Sequence, residues 1–372
     1  MLRVNELNDL AEFEDLECFW NQILQKSGDD DVFSTWEWLW CWWKHFGKER
    51  DLRILLAQEN DEILGIAPLM LSKYSFLHLG KLHEIEFIGT PHLDYSSFIL
   101  FRKPVECLKL FLNHLMRSSD WDMLELRDIR EGSTSAIALQ LMCDNGASKL
   151  KLRVSTLCPY LSLLNSFEIF LDRLSRNMRR NLRKRMRKLC ERYKVKVETQ
   201  RDFDSVKEAM NVFFELHQKR WRSLGKPGAF ASRAFRNFHL DLAEILNKKG
   251  WLGLHFLTVN DEPISAIYSF EYNQKKYGYL TGFDPEFGRY GVGNLLKMHV
   301  VEYCIKKGFR EYDFTRDFEP YKADWAPRVR RNLVAGMVHK GWFAKMYGWA
   351  VQNSSSRLLI SKLGGRLTLK KG

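Results

Sequence analysis

Two stretches of the chain share one pattern of alternating apolar and polar residues. Residues 52–67 read LRILLAQENDEILGIA and residues 252–267 read LGLHFLTVNDEPISAI, at an offset of 200 positions. In both stretches an Asn-Asp-Glu sequence separates two alternating runs, and Asn-Asp at such a place is typical of a tight turn between antiparallel strands. The pattern predicts one β-hairpin in each half of the chain.

The segments after the two hairpins follow one order. The second half predicts a strand at 276–283, a helix at 293–307 and a strand at 310–315, and the first half predicts strands near 84–89 and 94–100, a helix near 104–117 and a strand near 121–127. Both series end in an Arg-Asp pair, at 127–128 and at 316–317. We therefore predict two copies of one α/β unit, each with a mixed, largely antiparallel sheet flanked by helices.

These copies give the predicted domains. The first, at 1–157, is expected to be a degenerate copy, and the second, at 158–340, opens with a basic helix and carries the site. Residues 341–372 form a basic carboxy-terminal tail, in which four aromatic residues accompany the lysines. This composition fits either an amphipathic element at a membrane surface or a last helix packed on the body, and we favour the second.

Apolar residues recur every three or four positions from 171 to 193, which predicts one amphipathic helix over about 168–193. Residues 173–194 carry eleven Arg or Lys and one acid, Glu191. One interpretation is a solvated face on a docked helix. The other is a surface for an anion, such as a nucleotide diphosphate, a lipid phosphate or an anionic membrane. A single aromatic residue offers no stacking platform, which argues against a specific nucleic-acid partner.

Charge and composition narrow the class of protein. The chain has 372 residues and a net charge of +12; the basic helix supplies +10 and residues 340–372 supply +7, so the rest carries −5. With 45% hydrophobic and 28% charged residues, the chain is not disordered throughout. No apolar run approaches the roughly 20 residues that cross a bilayer, and the acidic amino terminus does not resemble a secretory signal. Seven scattered cysteines without C-x-x-C spacing predict neither disulfides nor a metal site. We expect a cytoplasmic protein.

Five of the twelve tryptophans fall within residues 36–43. Ser34 and Glu37 predict a capping box at the start of this short helix. The rings would line a sugar or acyl pocket in one interpretation. In the other, which we favour, they form core or interdomain packing.

One segment has the chemistry of a phosphate site. The strand predicted at 276–283 leads into a glycine-rich turn that opens the next helix, and such a turn presents backbone N–H groups at the positive end of the helix dipole. No proline falls within 286–294, and the predicted binding residues are Gly288, Arg289, Gly291, Val292, Gly293 and Asn294. Purely conformational glycines are the alternative. The matching residues 100–104 contain no glycine, so only the second copy is expected to bind.

Other signatures of nucleotide and hydrolase chemistry are missing from the sequence. There is no P-loop, no H-E-x-x-H and no G-x-S-x-G motif. The third glycine of a dinucleotide fingerprint would fall at Leu296, which disfavours a Rossmann site.

The order of hairpin, strand, glycine-rich turn, helix and strand resembles the core of the GNAT acyltransferases, whose turn binds the diphosphate of coenzyme A. Residues 181–184, 213–221 and 312–325 resemble more specifically the CelD-like acetyltransferases linked to polysaccharide biosynthesis, relatives of the FemAB peptidyltransferases. Residues 36–47, 68–69 and 94–95 resemble the amino-terminal half of that family. The likeness covers about residues 30–330. It departs at Gly288, where the GNAT turn has Gln or Arg, and at Asp317, where a glycine is frequent.

Acyl transfer from a thioester needs a held donor, a neutral amine and stabilisation of an oxyanion. Backbone amides of a splayed strand at 277–283 are expected to fill the last role. The candidate catalytic residues are Asp313 and Glu319 as bases, His217 as a base or, as we favour, a core residue, and Tyr321 as the proton donor to the thiolate. The candidate substrate ligands are Arg220 and Trp221, with Arg316 and Lys322 for an acidic group. For each of these residues, a purely structural role in a salt bridge or a hydrogen bond is an equal alternative.

We therefore predict an N-acyltransferase that uses acetyl-CoA or another acyl-CoA and transfers groups other than aminoacyl. Its acceptor would be the amino group of a sugar or cell-envelope polysaccharide precursor, in the cytoplasm or at the inner face of the membrane. One alternative keeps the fold and takes aminoacyl-tRNA as donor, as in the Fem relatives, which often carry a two-helix arm. The other is a non-catalytic adaptor that binds anions or membranes.

Overall fold

The computed structural model describes residues 1–76, 80–144, 149–163, 166–316, 320–341 and 345. The chain divides into two compact units. Unit 1 comprises Met1–Ser155 and Asn332–Gly372, and unit 2 comprises Thr156–Arg331. The second domain predicted from the sequence ran to residue 340, whereas the structure assigns residues from 332 onward to unit 1, because they pair with its strand at Met123–Arg130. Most of the predicted tail lies outside the described residues.

Unit 1 begins with a strand and three helices and continues with the first predicted copy of the repeat. Its elements are β1 (Arg3–Leu7), α1 (Leu10–Asp15), α2 (Glu17–Ser27), α3 (Trp36–Phe46), β2 (Arg50–Glu59), β3 (Glu62–Phe76), β4 (Gly80–Phe87), β5 (Ile99–Leu100), α4 (Pro104–Arg117), β6 (Met123–Arg130) and α5 (Thr134–Asp144).

Unit 2 repeats the hairpin, strand, helix and strand after a helical start. Its elements, with two strands that cross the unit boundaries, are β7 (Lys151–Ser162), α6 (Phe167–Arg173), α7 (Arg176–Cys190), β8 (Val195–Thr199), α8 (Val206–Ser223), α9 (Arg233–Lys248), β9 (Leu252–Val259), β10 (Glu262–Tyr272), β11 (Lys275–Phe283), α10 (Val292–Lys306), β12 (Glu311–Asp313), α11 (Pro320–Ala323) and β13 (Arg328–Val338).

The two units share one sheet topology. The strand order is β1-β2-β3-β4-β6-β13 in unit 1, with β5 beside β3, and β7-β12-β11-β10-β9-β8 in unit 2. Within each of these orders one pair is parallel, β4 with β6 and β11 with β12. In both units the first strand of that pair follows the hairpin, and the helix α4 or α10 precedes its partner. This confirms the predicted fold class, a mixed α/β chain of two tandem units.

Both predicted hairpin turns are present. Asn60 and Asp61 have φ of 51° and 64°, and Asn260 and Asp261 have φ of 50° and 70°. Two successive residues with positive φ give the turn whose twist matches that of the strands, and Asn and Asp tolerate this conformation better than other non-glycine residues.

Three local predictions were wrong. The single helix at 168–193 is two helices, because Leu174 is extended and the Ser175 side chain accepts a bond from the Met178 amide at 3.2 Å, which starts a new helix. The cap of α3 is Thr35 instead of Ser34. Of the strand expected at 94–100, only Ile99–Leu100 forms.

The five tryptophans of α3 are buried, as core packing requires. The hydrophobic core of unit 1 gathers around Leu55, Phe111 and Trp121, and that of unit 2 around Leu257 and Leu295. No helix in the described part of the chain has the length and apolar character that spanning a membrane requires.

A buried ion cluster lies beneath β9, β10 and β11. The Lys276 ammonium, fully buried, contacts Glu271 Oε1 at 2.5 Å and His255 Nε2 at 2.7 Å. Tyr303 donates to the other Glu271 oxygen at 3.2 Å. Burial, together with the Lys276 charge, lowers the pKa of His255 to about 4, so this histidine is neutral at physiological pH.

Candidate active site

The glycine-rich turn of unit 2 is a short 3₁₀ segment, Pro285–Tyr290, that leads into α10. Asp284 fixes its start, accepting from the Glu286 amide at 3.0 Å and from the Lys219 ammonium at 2.7 Å. Burial would raise the pKa of Asp284, but these two bonds outweigh it and the pKa is lowered. The turn is thus tied to α8, which carries Lys219.

Two of the predicted donor amides are used within the turn. The Gly291 amide donates to Gly288 O and the Asn294 amide to Gly291 O, each at 2.9 Å. Val292 and Gly293 are the first two residues of α10, and the first amides of a helix have no carbonyl one turn earlier to bond. Gly291 has a φ of 63°, a left-handed conformation that glycine adopts without steric cost.

These residues line a cavity of about 210 Å³, here called the first cavity. Its walls are formed by Arg220, Thr281, Phe283, Gly288, Gly291, Val292, Gly293, Asn294 and Lys297. A Cβ built on Gly293 would meet Phe283 at 3.9 Å, an ordinary contact, so a side chain there would enter the cavity without displacing backbone.

Arg185 of α7 lies directly against the turn. A Cβ built on Gly291 would collide with its guanidinium, so glycine at this position leaves room for the cation. Arg289, which the sequence favoured, is exposed; its guanidinium lies 5.0 Å from the centre of the Tyr290 ring and donates to the Tyr290 hydroxyl at 3.3 Å. Nothing in the sequence distinguishes Arg185 from the ten other cations of residues 173–194.

In the strand that precedes the turn, β11, the pairing with the parallel strand β12 ends early. The two strands pair over residues 275–277 and 311–313, and the register of β11 with β10 shifts at Tyr279. A second cavity, of about 90 Å³, lies along the separated stretch 278–281. Arg220, Thr281 and Lys297 line both cavities, which therefore adjoin. From Gly278 onward β11 has no pairing with β12, within the stretch 277–283 where a splayed strand was predicted.

The second cavity is lined by aromatic and cationic side chains. They are His217, Arg220, Trp221, Tyr279, Lys297, Tyr312, Phe314 and Lys322, together with Gly278, Leu280 and Thr281. A Cβ on Gly278 would lie 2.7 Å from the Tyr312 hydroxyl, and one on Gly282 would collide with the backbone of α8 at His217. The two glycines allow β11 to approach both neighbours closely.

Arg220 stands between the cavities. It donates to the Thr281 carbonyl at 3.1 Å, and its guanidinium lies 5.3 Å from the Phe283 ring centre and 5.9 Å from that of Trp221. Lys297 is buried between the rings of Phe314 and Trp325, at 5.4 Å from each centre. The sequence analysis missed Lys297, although its spacing of four residues from Gly293 places it on the same face of the helix.

His217 is buried and holds Trp221. Its Nε2 accepts from Trp221 Nε1 at 2.9 Å, and since indole nitrogen only donates, the ring proton sits on Nδ1, which lies 3.4 Å from Gln218 Oε1. Burial lowers the pKa of His217 to about 4, and the positive charge of Arg220 acts in the same direction. Its lone pair is therefore occupied by Trp221, and the ring is neutral.

Asp313 lies on the opposite face of β12 from Tyr312 and Phe314, the two cavity residues. Its carboxylate accepts from the Thr315 amide at 2.7 Å and lies 3.4 Å from Arg330 Nη1. Strand alternation contained this information: if residues 312 and 314 face a cavity, residue 313 faces away. Tyr312 is thus a cavity residue for which the sequence predicted no role.

The remaining candidates lie near residue 320. Lys322 donates to the carbonyls of Phe314 at 2.8 Å and Arg316 at 2.9 Å and reaches the second cavity. Arg316 contributes that carbonyl. Glu319 and the side chain of Tyr321 lie outside what the structure describes. Among the described residues, no cluster of His, Cys, Asp and Glu is suited to a metal ion.

The site lies in a segment with a recognised family pattern. Residues 176–323 match a family model described as an acetyltransferase (GNAT) domain. The match falls within unit 2 and covers less than half of the chain. No curated protein matches the sequence.

Several solved structures are similar over nearly the whole chain. FemX has 12% identity and a TM-score of 0.62, with 93% of this chain and 99% of that chain covered. L-PGS from Bacillus licheniformis has 12% identity and a TM-score of 0.55, with 96% and 97% covered. A tandem GNAT protein from the clavulanic acid biosynthesis pathway has 12% identity and a TM-score of 0.50, with 92% and 99% covered. At this identity these likenesses establish the fold alone.

Residues 176–323 of unit 2 are therefore similar to GNAT acetyltransferase domains, as predicted, and the tandem GNAT structure agrees with the two-unit architecture. The CelD-like type, the acyl donor, the acceptor and the roles of single residues stay predictions.

Proposed function

We propose that the protein is an acyl-CoA-dependent N-acyltransferase whose acceptor is the amino group of a sugar or cell-envelope polysaccharide precursor. The observation that carries this proposal is the first cavity, which Val292 and Gly293 line at the start of α10, with the Arg185 guanidinium against Gly291 of the same turn. Amides at a helix start beside a cation are suited to a diphosphate. The adjoining second cavity leaves room for an acceptor at the far end of the donor.

In this proposal the chain supplies position and electrostatics. The acceptor nitrogen attacks the thioester carbonyl, the C–S bond breaks, the nitrogen loses a proton and the thiolate gains one. Backbone amides on the β12 side of the stretch 278–281 are our proposed donors to the oxyanion that develops during attack, because β12 pairs with β11 only as far as Tyr277, while β10 pairs along the other edge.

Two of the candidate residues for proton transfer are already held by a hydrogen bond or an ion pair. His217 gives its lone pair to Trp221 and Asp313 is paired with Arg330, so we assign both to positioning. The Tyr312 hydroxyl lines the second cavity and is our candidate for protonating the thiolate. Glu319 remains the proposed base, with Tyr321 as an alternative proton donor.

Isothermal titration of the protein with acetyl-CoA, longer acyl-CoAs and free CoA tests the donor. We expect one site per chain, competition between CoA and acyl-CoA, and loss of binding in Gly293→Trp, whose indole would fill the first cavity. Lys306→Trp, at the exposed end of the same helix, is the matched control and should bind normally. No heat with any acyl-CoA, or normal binding by Gly293→Trp, would reject the proposal.

A second candidate donor is aminoacyl-tRNA, and one observation favours it. Six cations of α7, namely Arg176, Arg180, Arg183, Lys184, Arg185 and Lys188, form no ion pair within the described ranges. A row of this kind would attract a phosphate backbone. Transfer from charged tRNA in a reconstituted assay, with no transfer from acyl-CoA, would favour this donor over the first.

A further inference from the structure

The second cavity has an unusual balance of charge for a site that must accept an amine. Three cationic side chains, Arg220, Lys297 and Lys322, reach its wall, and no carboxylate side chain of the described residues does. The inference drawn below rests on the proposed function, because it concerns the acceptor of that reaction.

Two neighbouring titratable groups leave the charge of Arg220 in place. His217 is neutral, and its ring faces Trp221 and Gln218. The Asp313 carboxylate turns to the other face of β12, where it meets Arg330. Arg220 therefore adds positive charge to an aromatic wall, and a protonated amine without a compensating anionic group would be repelled by it.

Arg220 is held in a way that leaves its charge available. One nitrogen bonds the Thr281 carbonyl, and the guanidinium lies over two rings, contacts that orient the group without neutralising it. It forms no ion pair within the residues that the structure describes. A planar guanidinium held in place presents its other N–H groups as a fork that fits a phosphate or carboxylate.

We infer that the acceptor carries an anionic group, a phosphate or a carboxylate, which binds to Arg220 with Lys297 and Lys322 beside it. Trp221, fixed by His217, presents a ring to the apolar face of a sugar. The anionic group anchors the acceptor, so that the amine faces the separated stretch 278–281, where it attacks the thioester carbonyl. Phosphate and carboxylate share this oxyanion chemistry, and the experiment separates them.

The test is titration of four probes into protein saturated with CoA, which fills the donor site: inorganic phosphate, glucosamine, glucosamine 6-phosphate and muramic acid. We expect an anionic amino sugar to bind at least about 30-fold more tightly than glucosamine, the effect of one or two charged hydrogen bonds. Glucosamine 6-phosphate as the preferred probe indicates a phosphate, and muramic acid a carboxylate.

Variants test whether the expected preference for an anionic amino sugar depends on Arg220. Arg220→Gln should reduce the ratio of the dissociation constant of glucosamine to that of the preferred anionic amino sugar to below about threefold. This ratio is independent of the affinity for the donor. Arg222→Gln, two residues on and exposed, should leave the ratio unchanged. Rescue of part of the preference by Arg220→Lys would separate charge from packing.

Failure of this inference is distinguishable from failure of the proposed function. Absence of CoA binding rejects the acyl-CoA donor. If CoA binds normally, three results reject the anionic acceptor alone. The first is equal dissociation constants for glucosamine and the anionic amino sugars. The others are a ratio of these constants that does not change in Arg220→Gln, and no binding of any of the four probes.

Discussion

The two units differ at the turn that opens α10 or α4, which in unit 2 is the proposed anion site. In unit 2 the chain enters α10 through Gly291 with φ 63° and ψ 42°, and in unit 1 it enters α4 through Lys103 with φ 50° and ψ 52°. The backbone therefore turns in the same way. The first helical residue, however, is Val292 in one unit and Pro104 in the other.

Three positions of the unit 1 turn offer no open amide. Phe101 and Arg102 donate to the Leu64 carbonyl at 2.9 Å and 3.3 Å, and Pro104 has no N–H to offer. The two turns thus follow the same backbone path with different sets of free donors. Binding at such a turn depends on which amides remain open, and one proline is enough to remove the first of them.

The largest effect is expected from giving unit 2 the proline of unit 1. Val292→Pro removes one open amide while Lys103-Pro104 shows that this backbone accepts proline, so acetyl-CoA affinity should fall by about 100-fold, the value of a charged hydrogen bond. Calorimetry measures the change. Val292→Ala removes more packing but keeps the amide and should stay within about threefold; equal losses in both variants would assign the effect to packing.

The units should also respond to acid in opposite directions. Burial lowers the pKa of His217 and His255 to about 4, so between pH 6.5 and 4 the unfolded chain binds protons that unit 2 does not, and unit 2 loses stability as pH falls. From pH 7 to 5 the loss should be on the order of 2 kcal/mol per histidine. Burial, with the charge of its neighbour Glu86, raises the pKa of Glu84, so unit 1 gains stability over the same range.

Hydrogen exchange resolves the two responses. On acidification, β9 amides should exchange faster and β4 amides more slowly, after correction for the intrinsic pH dependence of exchange. A common change in both strands would mean that the units unfold together and would remove this part of the comparison.

A smaller effect is expected from the cation that unit 2 places over its turn. Arg185→Gln should weaken acetyl-CoA binding about tenfold, since one charged contact to the diphosphate is lost at an exposed position. Arg183→Gln, on the same helix and equally exposed, is the control and should have little effect. Similar losses in both variants would indicate diffuse attraction by α7 in place of a specific contact.

The smallest effect is expected from the reverse change in unit 1. Pro104→Ala restores an N–H, but the neighbouring amides still bond to Leu64, so the stoichiometry of CoA binding should stay at one per chain. A second binding event would show that the proline alone closes the unit 1 turn.

The sequence was sufficient for the architecture because hairpin turns and alternating runs are local signals. Asn-Asp at residues 60–61 and 260–261 fixed both hairpins, and the predicted bounds of α4 agree with the structure. The glycine-rich turn was also identified, since glycine and the start of a helix are visible in the chain. The break in the basic helix was missed, because one serine cap interrupted an otherwise continuous apolar stripe.

The side chains of the site were harder to predict because their positions depend on distant elements. Arg185 reaches the turn from another helix, which no spacing in the sequence reveals. Asp313 was favoured over Tyr312 for its chemistry, yet the direction of β12 decides which of them faces the cavity. Glu37 was expected to cap its own helix and instead bonds Asn21, a partner sixteen positions away.

The enclosed ammonium of Lys276 sets the point at which β11 leaves β12. Lys276 pairs with Tyr312 one residue before the last paired position, and its charge is satisfied by Glu271 and His255. A shift of β11 by one residue would turn the Lys276 ammonium to the opposite face of the sheet. The largely buried Glu271 carboxylate would then lose this cation. The cluster therefore fixes the register of β11, and with it the position of Gly278, where the pairing with β12 has ended.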